Sequence, residues 1–325
     1  MNRAVPPACS VSQVITALAG GVGAAKLLRG LVPVLRPGEV TAIVNTGDDT
    51  EVHGLHVSPD LDTVSYTLSG RSDDVRGWGL ADETWTVMDA LELLGGETWF
   101  RLGDRDLATH LYRTRRLAEG ATLSAVTTEL CSALGVPARL IPMSDDPVRT
   151  RMLLVDGPEV PFQDYFVRLG HQVPVRSVRF EGADSAVPAP GVLEAIESAD
   201  AVVICPSNPI VSIGPLLAVA GIADAVRKRR SSVVAISPIV AGAALKGPAD
   251  RLLSELGHEP SVVGVARIYR ELASTLIIDE ADESLAQQVE RAGMRCVVAP
   301  TIMASPQLSA DLATRALHEA SAHAG

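Results

Sequence analysis

Eight short apolar runs recur along this chain, and each breaks off at small or polar residues: VITALAGG, TAIVNTGDD, ARLIPM, RMLLVD, AVVICPSN, SVVAISP, TLIIDE and MRCVVAP. A half-exposed strand alternates apolar with polar residues, whereas several of these runs are apolar on both faces, as parallel strands covered by helices are. Helical segments lie between them, starting with AAKLLRGLVPVL after the first run. The expected fold is therefore α/β, a doubly wound, mostly parallel sheet. Residues 1–12 read as a flexible N-terminal extension, and 13–325 as a single nucleotide-binding-like α/β domain. Over about 64–136 the apolar spacing changes to three and four, with Leu107, Leu111, Val126, Leu130 and Leu134 in phase. That predicts a helical insertion covering the site, with Gly120 and Gly135 as helix stops.

Charge narrows the function. A formal net charge of -11 leaves no basic face for nonspecific nucleic-acid binding. The four cysteines, Cys9, Cys131, Cys205 and Cys296, form no CxxC pair, which points away from a zinc site or a disulfide scaffold and towards a reducing, cytoplasmic setting. The run from Val14 to Ala25 follows two prolines, holds three glycines and leads into Lys26, unlike a signal peptide. No uninterrupted apolar stretch reaches the roughly 18 residues a transmembrane helix needs, so no membrane partner is expected.

In open α/β sheets ligands collect where the strands end. The first such loop offers Gly20, Gly21 and Gly23, whose amides can approach an anion, with Lys26 a turn into the helix. It lacks the GxxxxGK[ST] pattern, and a simple tight turn is the competing reading. Ser207, Asn208 and Ser212 after one strand, and Ser237 after another, offer further polar groups to a nucleotide, against helix caps and turns as the alternative. Asp145 and Asp146 in MSDDP are equally open to capping or ligand contact.

VNTGDDTEVHGLHVSPDLDT carries five carboxylates and no lysine or arginine. Asp48 and Asp49 end a strand, while Asp60 and Asp62 lie on a following loop able to fold back over it. Clustered carboxylates suit magnesium or manganese shared with substrate phosphates. Asp49, Asp60 and Asp62 are the candidate metal ligands, with Asp62 or Asp49 as the candidate base. His53 and His56 read as packed or exposed. All three tryptophans, Trp78, Trp85 and Trp99, fall in one window where a planar substrate can stack, with Arg76, Asp82 or Thr84 at its edge. Asp106 and His110, one helical turn apart, read as a structural ion pair.

The ordered segments AGGVGAAKLLRGL, VNTGDD, SPDLDTVSYTLSG, GWGLADETW, LGDRDLATH, PMSDDPV, FQDYFV, PSNPIVSIGP and SPIVAGAALKGPA resemble the 2-phospho-L-lactate transferase family of coenzyme F-420 biosynthesis. The resemblance implies transfer of a phosphoenolpyruvyl or 2-phospholactyl group from a guanosine diphosphate-linked donor to the ribityl hydroxyl of the deazaflavin FO. GMP would be released, with Mg2+ as cofactor and a homodimer as the expected assembly. It implies FO contacts from Asp62 and Arg101, with Trp78, Thr84 and Trp85 bordering the ring. The glycine loop, Ser207, Asn208 and Ser237 would hold the nucleotide. Only three of the 28 basic residues are lysine, a bias that with abundant alanine points to bacterial members and a phosphoenolpyruvyl donor. A nucleotide-sugar-binding regulatory protein of the same fold would share the glycine and PSNP loops, but the tryptophan window favours the deazaflavin acceptor. An NAD-dependent dehydrogenase would need a glycine where Lys26 stands and an acid near Asn45.

Overall fold

The computed structural model describes residues 13–321, so the extension expected over 1–12 lies outside the described residues. The chain enters as strand β1 (Ile15–Ala19), helix α1 (Gly21–Leu31) and strand β2 (Val40–Val44), then a hairpin of β3 (Thr50–Val52) and β4 (Leu55–Val57). Four helices follow: α2 (Pro59–Leu68), α3 (Thr86–Leu93), α4 (Asp104–Ala118) and α5 (Leu123–Leu134). After β5 (Arg139–Pro142) come β6 (Arg149–Leu154), β7 (Glu159–Pro161) and β8 (Val175–Glu181). Helix α6 (Val192–Ser198), β9 (Ala201–Ile204), α7 (Gly214–Ala218), α8 (Ile222–Lys228) and β10 (Val233–Ile236) lead to a hairpin of β11 (Ile239–Val240) and β12 (Ala243–Ala244). The rest is α9 (Ala249–Glu255), α10 (Val262–Tyr269), β13 (Thr275–Ile278), α11 (Ala286–Arg291), β14 (Arg295–Val298) and α12 (Pro306–Ser321).

Seven strands form the main sheet in the order β14-β13-β10-β9-β1-β2-β5, every neighbouring pair parallel. The chain moves outward from β1 in one direction through β2 and β5, and in the other through β9, β10, β13 and β14. The topological switch point thus falls between the carboxyl ends of β1 and β9, where such sheets bind ligands. Alternate residues of β1 feed two cores: Leu18 joins one with Ile43 and Ile204, and Ala17 and Ala19 join the other with Ala42 and Val203. Burial on both faces is what the apolar runs predicted.

Two expectations need correction. RMLLVD is not a strand of the parallel sheet: β6 pairs antiparallel with β7 and β8 in a separate three-stranded sheet, and its burial alternates, as a one-sided strand requires. PDLD is not a loop. It is the first turn of α2, with Pro59 preset for the first helical position and Asp60 and Asp62 at the positive end of the helix dipole. The helical region therefore opens at Pro59, slightly before the expected boundary, and continues to Leu134. Gly120 and Gly135 take left-handed φ values of 92° and 71° just past α4 and α5, as the stop signals implied.

Candidate functional site

At the switch point, backbone and side chains interlock closely. Gly20 N–H donates to Ser207 Oγ at 3.3 Å, joining the loops after β1 and β9. A Cβ on Gly20 would lie 2.7 Å from Ser212 Cβ and 2.8 Å from Asp60 Oδ2; one on Gly23 would lie 2.2 Å from the Pro206 carbonyl oxygen. Gly23 is therefore bare to let α1 pack on the neighbouring loop, not to admit a ligand. Gly21 N–H, expected to be free for an anion, donates to Asp60 Oδ1 at 2.7 Å.

This places Asp60 at the N-terminus of α1 as well as in the first turn of its own helix. Asn45 Nδ2 donates to Asp60 Oδ2 at 2.9 Å and to Asp48 Oδ1 at 3.3 Å, tying the two acidic segments together. Asp49 Oδ2 accepts from Ser58 Oγ at 2.9 Å and lies 3.0 Å from His56 Nε2. Its other oxygen, Oδ1, is buried and has no hydrogen-bond partner. Burial, and then repulsion from Asp60 and Asp49, pushes the Asp48 carboxyl well above its ordinary range. Burial likewise raises Asp60, to about 6, against the lowering effect of the Asn45 and Gly21 hydrogen bonds. Three buried carboxylates thus lie near one another, Asp48 and Asp60 sharing Asn45, with no lysine or arginine joined to Asp48, Asp49 or Asp60 by an ion pair among the described residues.

Asp62 stands apart from this set. Both of its oxygens accept from the Arg113 guanidinium, which is only 2% exposed. His110 Nδ1 lies 3.7 Å from Asp62, His110 Nε2 3.3 Å from Asp106 Oδ1, and Tyr66 Oη donates to Asp106 at 2.6 Å. Asp62, grouped with Asp49 and Asp60 as candidate ligand or base, thus has a buried cation of its own, whereas Asp48, outside that grouping, shares Asn45 with Asp60.

Among the described residues no three Asp, Glu, His or Cys side chains are grouped to hold a metal ion by themselves. The acids do fit a shared site, in which one or two carboxylates and substrate phosphates complete the coordination. The unpartnered Asp49 Oδ1 supplies such an oxygen. A cavity of about 220 Å³ is walled by Asp48, Asp49, Arg149, Phe162 and Gln163 among others. Gln163 also donates to Asp48 Oδ2 at 3.3 Å.

The tryptophan window forms two separate groups. Trp78 and Trp85 meet edge to face at 6.0 Å, with the Arg76 guanidinium 4.9 Å from one ring centre and 5.0 Å from the other. Arg101 lies 4.9 Å from the Trp85 ring and 3.6 Å from Asp89. Trp78 is 43% exposed, so this cationic, aromatic platform faces solvent. Trp99 packs on Phe100 instead. Thr84 Oγ1 donates to Asp104 at 2.6 Å, which also caps the start of α3.

Other candidate groups are used within the fold. Asn208 accepts from Ile210 and Val211 N–H, Ser237 Oγ closes a turn with Ile239, Asp145 accepts from Ser124, and Asp146 from Val187 N–H. For Asn208 and Asp145 the capping reading describes these contacts, whereas Asp146 ties its loop to a distant one. Asn45, Arg113 and Gln163 were not assigned a role beforehand, and His56, read as packed or exposed, meets Asp49: each acts through a partner distant in sequence or across a turn. Asn45, His56 and Gln163 lay in segments already marked; Arg113 did not.

The sheet is of the doubly wound α/β class, with buried carboxylates crowded at its switch point; likeness to known proteins makes the chain a transferase. The family model of 2-phospho-L-lactate transferase CofD matches residues 15–306, and the chain belongs to that family. It is 47% identical over 309 residues to a phosphoenolpyruvate transferase of Kitasatospora aureofaciens, covering 93% of this chain and 96% of that one. To the phosphoenolpyruvate transferase of Streptomyces coelicolor it is 45% identical over 308 residues, covering 93% and 97%. The fold resembles a Bacillus halodurans crystal structure with a TM-score of 0.62 at 15% identity, over 94% of this chain and 100% of that one. No single helix among the described residues is long and apolar enough to cross a membrane.

Proposed function

We propose that this enzyme transfers a phosphoenolpyruvyl group from a guanosine diphosphate-linked donor to the ribityl hydroxyl of FO, releasing GMP. The observation that carries the reading is the buried set of Asp48, Asp49 and Asp60, with Asp49 Oδ1 unpartnered at the switch point. Such a set is repulsive alone and becomes favourable when a divalent cation and a diphosphate arrive together. The relatives named phosphoenolpyruvate transferase support the enolpyruvyl donor over the lactyl one.

Asp49 and Asp48 would hold magnesium, which when bound neutralises charge on the donor's diphosphate. The protein's own contribution is placement. Trp78, Trp85 and Arg101 border the flat acceptor ring and aim its hydroxyl at the phosphorus carrying the enolpyruvyl group. A new P–O bond forms there as the P–O bond to GMP breaks, and the hydroxyl proton passes to a carboxylate. Asp60, with its carboxyl raised to about 6, has the basicity suited to accept that proton near neutral pH. Arg113 fixes Asp62 and so the first turn of α2, which sets Asp60 against Asn45 and Gly21. We place this reaction in the cytoplasm, with a homodimer as the expected form.

The test is incubation of purified protein with FO, magnesium and a guanosine diphosphate-linked phosphoenolpyruvate or phospholactate. Mass spectrometry should find the enolpyruvyl product and GMP, and none after chelation. Absence of product from both donors, with no FO binding, rejects the proposal.

A further inference from the structure

Only three lysines occur in this sequence, and two of them, Lys26 on α1 and Lys246 after β12, line one narrow pocket. The pocket lies between α1, α2 and the Trp78 loop, and holds about 30 Å³. Lys246 reaches across to that loop: a Cβ on Gly77 would lie 2.2 Å from its Nζ. Neither ammonium has a hydrogen bond or ion pair among the described residues. The two carboxylates in the pocket wall are engaged elsewhere, Asp73 with Arg76 at 2.7 Å and Asp74 with Arg29 at 2.9 Å. Burial, and next the charge of Lys246, lower the Lys26 pKa, while Asp74 opposes this from farther away.

Lys246 is exposed and Lys26 half-buried, so water screens their repulsion only in part and an anion between them would relieve the rest. The pocket is narrow, about 30 Å³, and suits the tip of a small anionic group better than a whole ring system. Its place says which one. Lys26 stands five residues into α1 from Gly21, about 7.5 Å along the axis from the amide that Asp60 occupies. Helical side chains lean back towards the N-terminus, so the Lys26 side chain is directed along α1 towards the end that Asp60 meets. Trp78, on the acceptor side, forms another wall. Between donor phosphate and acceptor ring lies the group in transit.

We propose that Lys26 and Lys246 jointly receive the carboxylate of the three-carbon group being transferred. The pair would select donors that carry a carboxylate and align the group for attack. This inference rests on the transferase reading and goes beyond it by naming the part of the donor that is recognised.

The test measures calorimetric affinity of wild type, Lys26→Met and Lys246→Met for three probes with magnesium present: the guanosine diphosphate-linked phospholactate, its carboxylate methyl ester, and GDP. Each substitution should weaken the free-acid donor by about tenfold or more, the worth of a charge-assisted hydrogen bond, while GDP and the ester change by less than about twofold. Thermal midpoints should stay at the wild-type value. An equal loss for GDP would assign the lysines to the nucleotide and overturn the proposal, as would undiminished binding of the acid donor. Wild type that binds neither GDP nor donor would instead remove the transferase reading, and this inference with it.

Discussion

Single carboxylates carry the sharpest predictions. Asp49→Asn should fold normally yet lose the magnesium-dependent rise in thermal midpoint along with turnover; wild type at a hundredfold excess over Kd should gain about 2.7 kcal/mol. An undiminished magnesium response in the variant would remove Asp49 from the site. The acids also set a pH dependence. Asp60 titrates at about 6 in the folded chain and nearer 4 when unfolded, and Asp48 shifts the same way. Across that window the folded protein binds more protons than the unfolded one, so metal-free stability should fall as pH rises from about 4 to 6. For Asp60 the change amounts to roughly 3 kcal/mol. Urea midpoints at both ends, with and without magnesium, check the sign: saturating metal should flatten the fall. Arg113 makes the opposite case. Removing it as Arg113→Met leaves Asp62 buried and uncompensated, a loss of about 3–5 kcal/mol, whereas pairing it with Asp62→Leu should recover most of that stability. Chemical denaturation of the single and double variants measures both.

At the scale of elements, the fold was legible wherever local pattern and tertiary role agree. The strand-end runs of β1, β2, β9, β10 and β13 are apolar on both faces because helices cover both faces, and nothing else explains them as simply. The pattern misled at RMLLVD, where a run of similar composition joins a small antiparallel sheet; the difference lies in partners, which composition does not encode. The site was half legible. Asp49 and Asp60 are marked by crowding alone, but that Asp62 turns to Arg113 follows from where α4, packed on β4 and α5, carries that arginine, far along the chain. The glycine loop illustrates a further ambiguity: Gly23 is needed for close approach, yet the neighbour is the Pro206 carbonyl. Gly23→Ala should therefore push α1 from the loop after β9 and destabilise by about 1–3 kcal/mol, with GDP affinity falling only as the fold loosens. On the platform, Trp85→Ala should raise the KM for FO about tenfold and leave the donor KM near its original value. Steady-state kinetics against each substrate separates the two effects.

For the whole molecule, the position of β1 has a consequence in the order of synthesis. Its neighbours are β2, made at once, and β9, which pairs residue 15 with residue 201. Its helix, α1, is covered by α12, and Gly30 is bare so that the backbone at Ser309 can approach. This strand and helix are thus sealed by segments translated well after them. At common translation rates of about 5–20 residues per second, the apolar face of α1 waits roughly fifteen seconds to a minute for its cover. The nascent chain must be kept from aggregating through that interval, and the sheet's central pair forms only after most of the protein has left the ribosome.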